Sequence, residues 1–131
     1  MPSNLLVAVF GCRSFLQAHG FEDGILTLKD SGFDCLDLSL FEMSKTPAES
    51  VYLADDWRVQ TEARRRFADE HGIRFNQSHA PFSFRWADDS ERENIAKPRV
   101  LHSLEISAIM GVDIVVVHPL HYWPFLGHEE E

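Results

Sequence analysis

Basic residues are scarce in this sequence. Twelve lysines and arginines stand against 21 acids, a formal net charge of −9 over 131 residues. Affinity for a nucleic-acid backbone comes from Lys and Arg neutralising phosphates, so this balance disfavours a chain that grips DNA or RNA unaided. Cysteine is rarer still. Cys12 and Cys35 have neither zinc-type nor redox-type spacing, and two reduced thiols in a cytoplasmic protein are expected. No apolar run approaches the length of a bilayer span, and no basic segment precedes an apolar core at the amino terminus. The expectation is a soluble, cytoplasmic chain with no membrane partner. What is present is ordinary for a globular protein: 44% hydrophobic and 25% charged residues, in one domain or part of one spanning 1–131.

The most informative stretch is Asp113-Ile-Val-Val-Val-His-Pro119. Its β-branched run from Ile114 reads as a strand buried on both faces, as in a parallel sheet, with His118 as its last residue before Pro119. Upstream, Leu5–Phe10 reads as a first strand and Cys12–Gly20 as loop-like with a turn of helix in it. Phe21–Ser31, with Phe21, Ile25 and Leu28 at helical spacing, reads as a helix closed by Gly32. Phe33–Leu40 alternates cleanly, so it is a strand with Leu36, Leu38 and Leu40 on one face and Cys35, Asp37 and Ser39 on the other.

Phe41–Ala54 then reads as a connecting loop. A helix is expected from Asp55 to about His71, with Val59, Ala63 and Phe67 inward and Arg64-Arg65-Arg66 on a solvated face. Ile73–His79 is the third strand, with Phe75, Gln77 and His79 on one face by simple alternation. After a loop at Phe82–Glu93, a helix from Pro98 to Met110 is expected to turn Leu101, Leu104 and Ala108 inward. The order is β-α-β-α-β-α-β, the pattern of parallel (βα) units in an α/β fold.

Polar side chains at the carboxyl ends of parallel strands are where such folds place their chemistry. His79 and His118 close consecutive strands, each with a proline close behind, and His121 and Trp123 follow in the adjoining loop. Imidazole serves as a metal ligand, an acid/base group or a hydroxyl-binding group. Asp37 reads equally well as a surface acid on an edge strand or as a group on the functional side. Phe82, Trp86, Trp123 and Phe125 are candidates to wall a sugar pocket, or to pack against neighbouring loops. His19, His71 and His102 read as surface histidines.

Several of these stretches together resemble one family. Gly32-Phe-Asp-Cys-Leu-Asp-Leu38, Ala68-Asp-Glu-His-Gly-Ile-Arg-Phe75 leading to His79-Ala-Pro-Phe82, and Ser103–Asp113 leading to Val116-Val-His-Pro119 resemble the amino-terminal half of the xylose isomerase-like TIM barrels. That superfamily includes sugar and sugar-phosphate isomerases and epimerases, inosose dehydratases and endonuclease IV-type repair enzymes. The resemblance implies four strands of an eight-stranded barrel of about 250 residues. It implies that His79 and His118 stand where the endonuclease branch has metal ligands. In the isomerase branch the same region lines the substrate pocket, and most ligands to the divalent metal come from strands five to eight.

The leading expectation is therefore an isomerase- or epimerase-like protein for a small, sugar-like polyhydroxylated substrate. Asp37, His79, His118, His121 and Trp123 are its candidate substrate contacts, and His79 and His118 its candidate ligands to zinc, manganese or magnesium. The alternatives are a non-catalytic half-barrel and, less favoured by the acid balance, an abasic-site nuclease. A four-stranded half leaves one sheet face and two strand edges uncovered, so a homodimer or association with a missing carboxyl-terminal half is expected.

Overall fold

Three leucines at alternate positions, Leu36, Leu38 and Leu40, lie in the centre of the core. Leu36 and Leu38 belong to β2 (Cys35–Ser39), which Leu40 directly follows, and β2 is flanked by parallel neighbours on both sides. This computed structural model describes residues 8–9, 13–44, 50–82 and 89–118. On one side of β2 lies β1 (Ala8–Val9), the described part of the first expected strand. On the other lies β3 (Arg74–His79). Two further residues, β4 (Val115–Val116), continue the sheet beside β3. The chain is thus a mixed α/β structure around a small parallel sheet.

The helices are α1 (Arg13–His19), α2 (Phe21–Asp30), α3 (Trp57–Glu70), the single turn α4 (Asp89–Glu91) and α5 (Lys97–Ile109). Short 3₁₀ turns occupy Phe41–Ser44 and Val51–Leu53, and a π-helical turn at Arg92–Ala96 leads into α5. Ile25 and Leu28 of α2, Ala68 of α3, and Ile106 with Met110 at the end of α5 share one cluster with the β2 leucines and Phe75. All three long helices therefore cover the same face of the sheet. Burial of one such leucine contributes about 1.5–3 kcal/mol. Asp37, Gln77 and His79 lie on the opposite face.

Several expectations from the sequence need correction. Arg13–His19 is helical throughout, not loop with a turn in it. In α3 Phe67 packs against the core as expected, together with Trp57, Thr61, Arg64 and Ala68, while Ala63 is exposed and Val59 is 64% exposed. The arginine cluster explains the difference. The Arg64 guanidinium lies 4.7 Å from the Phe21 ring centre and 5.0 Å from that of Tyr52, covering two rings instead of meeting water. Arg65 donates from Nη1 to the Met110 carbonyl, so only Arg66 behaves as the solvated residue expected of all three.

In α5 the buried residues are Ser103, Ile106 and Ser107, whereas Leu101, at 64%, and Leu104 are exposed. Serine can face inward because its hydroxyl is satisfied locally. Ser107 donates to the Ser103 carbonyl at 2.7 Å and Ser103 to the Val100 carbonyl at 2.6 Å. Ser107 also meets Ser78 of β3 at 2.8 Å, joining helix to sheet.

Phe75 does not share a face with Gln77 and His79. Leu36 pairs with Phe75 but Asp37 pairs with Gln77, so β3 carries one extra residue, Asn76, at a bulge. The bulge sends Phe75 towards the helices, where its ring lies 6.4 Å from that of Phe21. It leaves Gln77 and His79 opposite Asp37 and Ser39 on the far face.

The run from Ile114 to His118 is not a strand buried on both faces. Only Val115 and Val116 are paired in register, and Ile114 and Val117 are 60% and 52% exposed. Among the described residues β4 is the edge of the sheet, with no strand on its outer side.

Gly32, Gly72 and Gly111 follow the three long helices with φ of 93°, 68° and 71°, the left-handed region where a side chain is strained. Among them Gly111 is also crowded: a Cβ there would run into the Arg65 guanidinium. Between β2 and α3, Tyr52 inserts fully into the core. Burial pushes its phenol above the usual value, with Arg64 pulling the other way.

Candidate functional site

The sheet positions its polar side chains through register. Ser39 pairs with His79 and His79 with Val116, so the last residues of three strands stand side by side. Backbone bonds lock that end. Leu40 donates to the His79 carbonyl at 3.0 Å, and Ala80 donates to the Val116 carbonyl at 2.9 Å. His79 is held on both sides before its imidazole makes any contact.

Asp37 is the anchor of the site. It is only 4% exposed, and its carboxylate faces His79 Nδ1 at 3.0 Å from Oδ1 and 2.9 Å from Oδ2. Gln77 donates from Nε2 to Oδ2 at 2.5 Å. A buried carboxylate needs such donors, because an ionised oxygen without them costs several kcal/mol. Asp37 is therefore not a surface acid on an edge strand: it is buried, on a strand flanked on both sides. In a neutral imidazole, an Nδ1–H given to the carboxylate would place the lone pair on Nε2, the tautomer that can accept a proton or bind a metal.

His118 joins this couple from the end of β4. Its ring stacks on that of His79 with centroids 5.6 Å apart and planes 28° from parallel. On its other contact lies Phe82, at 4.6 Å, and Phe82 meets Phe41 edge-on at 5.0 Å. The structure therefore brings together Asp37, His79 and His118, whereas His121 and Trp123 lie outside the described residues, as do Trp86 and Phe125. Phe41 escaped sequence reasoning as a site neighbour. The available signal was its place directly after Leu40, one step beyond the inward leucine row.

His102 and His71 have structural partners. His102 Nε2 meets the Tyr52 carbonyl at 3.0 Å while its ring packs edge-on against Trp57, so it ties α5 to the β2–α3 connection. His71 Nδ1 donates to the Phe67 carbonyl at 2.7 Å. The reading of both as plain surface histidines is corrected accordingly. His19 is exposed, as expected. Cys35 is buried, and burial pushes its thiol above the ordinary value, which keeps it protonated and unreactive at neutral pH. A separate hollow opens where α2 begins against α3, lined by Phe21, Glu22, Asp23, Gln60 and Arg64, and contains neither strand-end imidazole.

A divalent metal fits these residues in kind but not in number. Imidazole backed by carboxylate is a common ligand arrangement, yet zinc sites take three or four protein ligands. Among the described residues no group of three or more His, Cys, Asp or Glu stands ready to hold an ion. Among them, too, no helix is long and apolar enough to cross a membrane. No protein-family model, curated protein or solved structure matches the chain.

Proposed function

We propose that this chain is the amino-terminal half of a xylose isomerase-like barrel, and that its strand ends handle a small sugar or sugar phosphate in isomerase or epimerase chemistry. The observation that carries the reading is the buried Asp37 carboxylate fixing His79 through Nδ1, with the His118 ring stacked beside it. Parallel strands in the order β1-β2-β3-β4, with helices α2, α3 and α5 on one face, support the barrel lineage.

Isomerisation and epimerisation of sugars both move a proton at a carbon beside a carbonyl or hydroxyl. In that chemistry Asp37 orients His79, and His79 Nε2 accepts a hydrogen bond or a proton from a substrate hydroxyl. His118 offers a second imidazole to a neighbouring oxygen. A divalent metal, when bound, would polarise the substrate oxygens. His79 and His118 would be two of its ligands, and the rest of the set would have to come from other residues.

Ligand-observed NMR with a panel of pentoses, hexoses and their phosphates tests the substrate class. Saturation transfer to at least one compound is expected, and it is expected to vanish in His79→Ala. In parallel, zinc or manganese titration should show weak binding that is lost in either His79→Ala or His118→Ala. Tight stoichiometric binding that survives both substitutions would show that other residues are the ligands.

The exposed Ile114 and Val117 beside a two-residue edge strand favour a second element of this reading, pairing with another copy of the chain. The simplest arrangement is a symmetric dimer in which two halves cover one another. Light scattering at micromolar concentration is expected to give twice the chain mass of 15.0 kDa. A clean monomer that binds no hydrophobic dye would reject the dimer.

A further inference from the structure

His118 is the least anchored member of the site. It lies beyond the paired residues of β4 and is exposed, and among the described residues its contacts are two rings, His79 and Phe82. Phe82 follows β3 by three residues and is itself half-buried against Phe41, which follows β2 by two. The four rings form one row: Phe41, Phe82, His118, His79. Beyond His79 the row ends on the Asp37 carboxylate. Stacked and edge-on ring pairs at this spacing attract one another beyond the area they bury, which favours one orientation of an otherwise exposed imidazole.

We infer that Phe82, braced by Phe41, is a positioning residue that holds the His118 imidazole against the Asp37–His79 couple. The inference rests on the reading of His79 and His118 as one site. Without Phe82, His118 has a single stacking partner on an exposed segment, and its ring samples other rotamers. The pair of imidazoles then loses the fixed separation that two contacts to one small ligand require. A tyrosine at position 82 keeps the ring and its stacking, whereas leucine keeps only the apolar bulk.

The test uses the full chain as Phe82→Leu, Phe82→Tyr and Phe41→Leu. The first readout is the nuclear Overhauser effect between the ring protons of His79 and His118, which reports their contact directly and needs no ligand. It is expected to disappear in Phe82→Leu, persist in Phe82→Tyr and weaken in Phe41→Leu. The second readout is the affinity for zinc ion alone. By the scale of residues that orient metal-binding histidines, Phe82→Leu should weaken it by roughly 10–100-fold, and Phe82→Tyr should leave it close to the parent value.

Persistence of the ring contact in Phe82→Leu overturns the inference, whatever zinc does. Loss of the contact in Phe82→Leu with rescue in Phe82→Tyr supports it, even if the parent chain binds no zinc. In that event it is the metal-binding part of the proposed function that falls. Should Phe82→Leu fail to fold, Phe41→Leu decides by the same contact: weakening supports the inference and an unchanged signal overturns it.

Discussion

Replacing Asp37 by alanine is expected to lower stability by about 2–4 kcal/mol and to abolish ligand binding at the strand ends. Hydrogen bonds to a charged group are worth about 1.5–3 kcal/mol each, and leaving a buried donor without its acceptor adds its desolvation cost. Asp37 receives His79 Nδ1 and Gln77 Nε2 in a nearly solvent-free position, so both donors lose this acceptor in the variant. Asp37→Asn separates charge from shape. It preserves volume and one acceptor oxygen, so its stability loss should be smaller. The remaining anchor for the Nδ1–H tautomer is weaker, however, and ¹⁵N NMR of the His79 ring should show a larger share of the Nε2–H form. Denaturant midpoints and the ring spectra together check this. An Asp37→Ala protein as stable as the parent, with an unchanged His79 tautomer, would remove Asp37 from the centre of the site.

Gly111→Ala should cost roughly 1–3 kcal/mol, most of it from the backbone conformation and the rest from moving the flexible Arg65 side chain. Two effects combine there. Alanine at φ 71° pays the left-handed penalty, of order 1–2 kcal/mol. Its Cβ would also run into the Arg65 guanidinium, which donates to the Met110 carbonyl at the end of α5. Displacing that guanidinium gives up a charge-assisted bond of about 1.5–3 kcal/mol, most of which solvent returns. Arg65 itself keeps an ion pair to Asp69 at 2.7 Å, so the side chain remains tethered to α3 while its link to α5 breaks. The double variant Gly111→Ala with Arg65→Ala discriminates the two effects. With the clash removed, the added cost of alanine should shrink to the backbone penalty alone. Thermal or urea unfolding of the four proteins measures the coupling. Because Gly111 turns the chain from α5 towards β4, the same substitution should loosen His118.

Where the sequence was legible, the signals were short-range and redundant. The β2 leucines alternate without interruption, and the face they define is the face the helices cover. His79 and His118 each stand at the end of a run with a proline one or two residues on, and they do come together. The errors share a different origin. Simple alternation placed Phe75 with His79, because nothing in Arg74–His79 announces an extra residue. The bulge is visible only through the pairing partner, Leu36 then Asp37. The inner faces of α3 and α5 were misread because apolar periodicity assumes that polar groups point outward. Arg64 lies over two aromatic rings, and Ser103 and Ser107 return their hydroxyls to their own helix, so both kinds of residue can face the core. The valine-rich segment before His118 looked doubly buried because its composition suits a central strand. Its exposure follows from neighbours, which composition does not record.

Asn76 gives β3 one residue of slack, and that slack has an unequal effect on changes in chain length. Remove Asn76 and the strand would run Phe75, Gln77, Ser78, His79 against Leu36, Asp37, Leu38, Ser39 with every facing preserved. Phe75 and Ser78 would still meet the helices, and Gln77 and His79 would still meet Asp37. A deletion at Ser78 instead would leave Gln77 next to His79 and turn one of them over to the helix side. Of these neighbouring positions, 76 is the place where related chains can differ in length by one residue and still present the same imidazole to the same carboxylate.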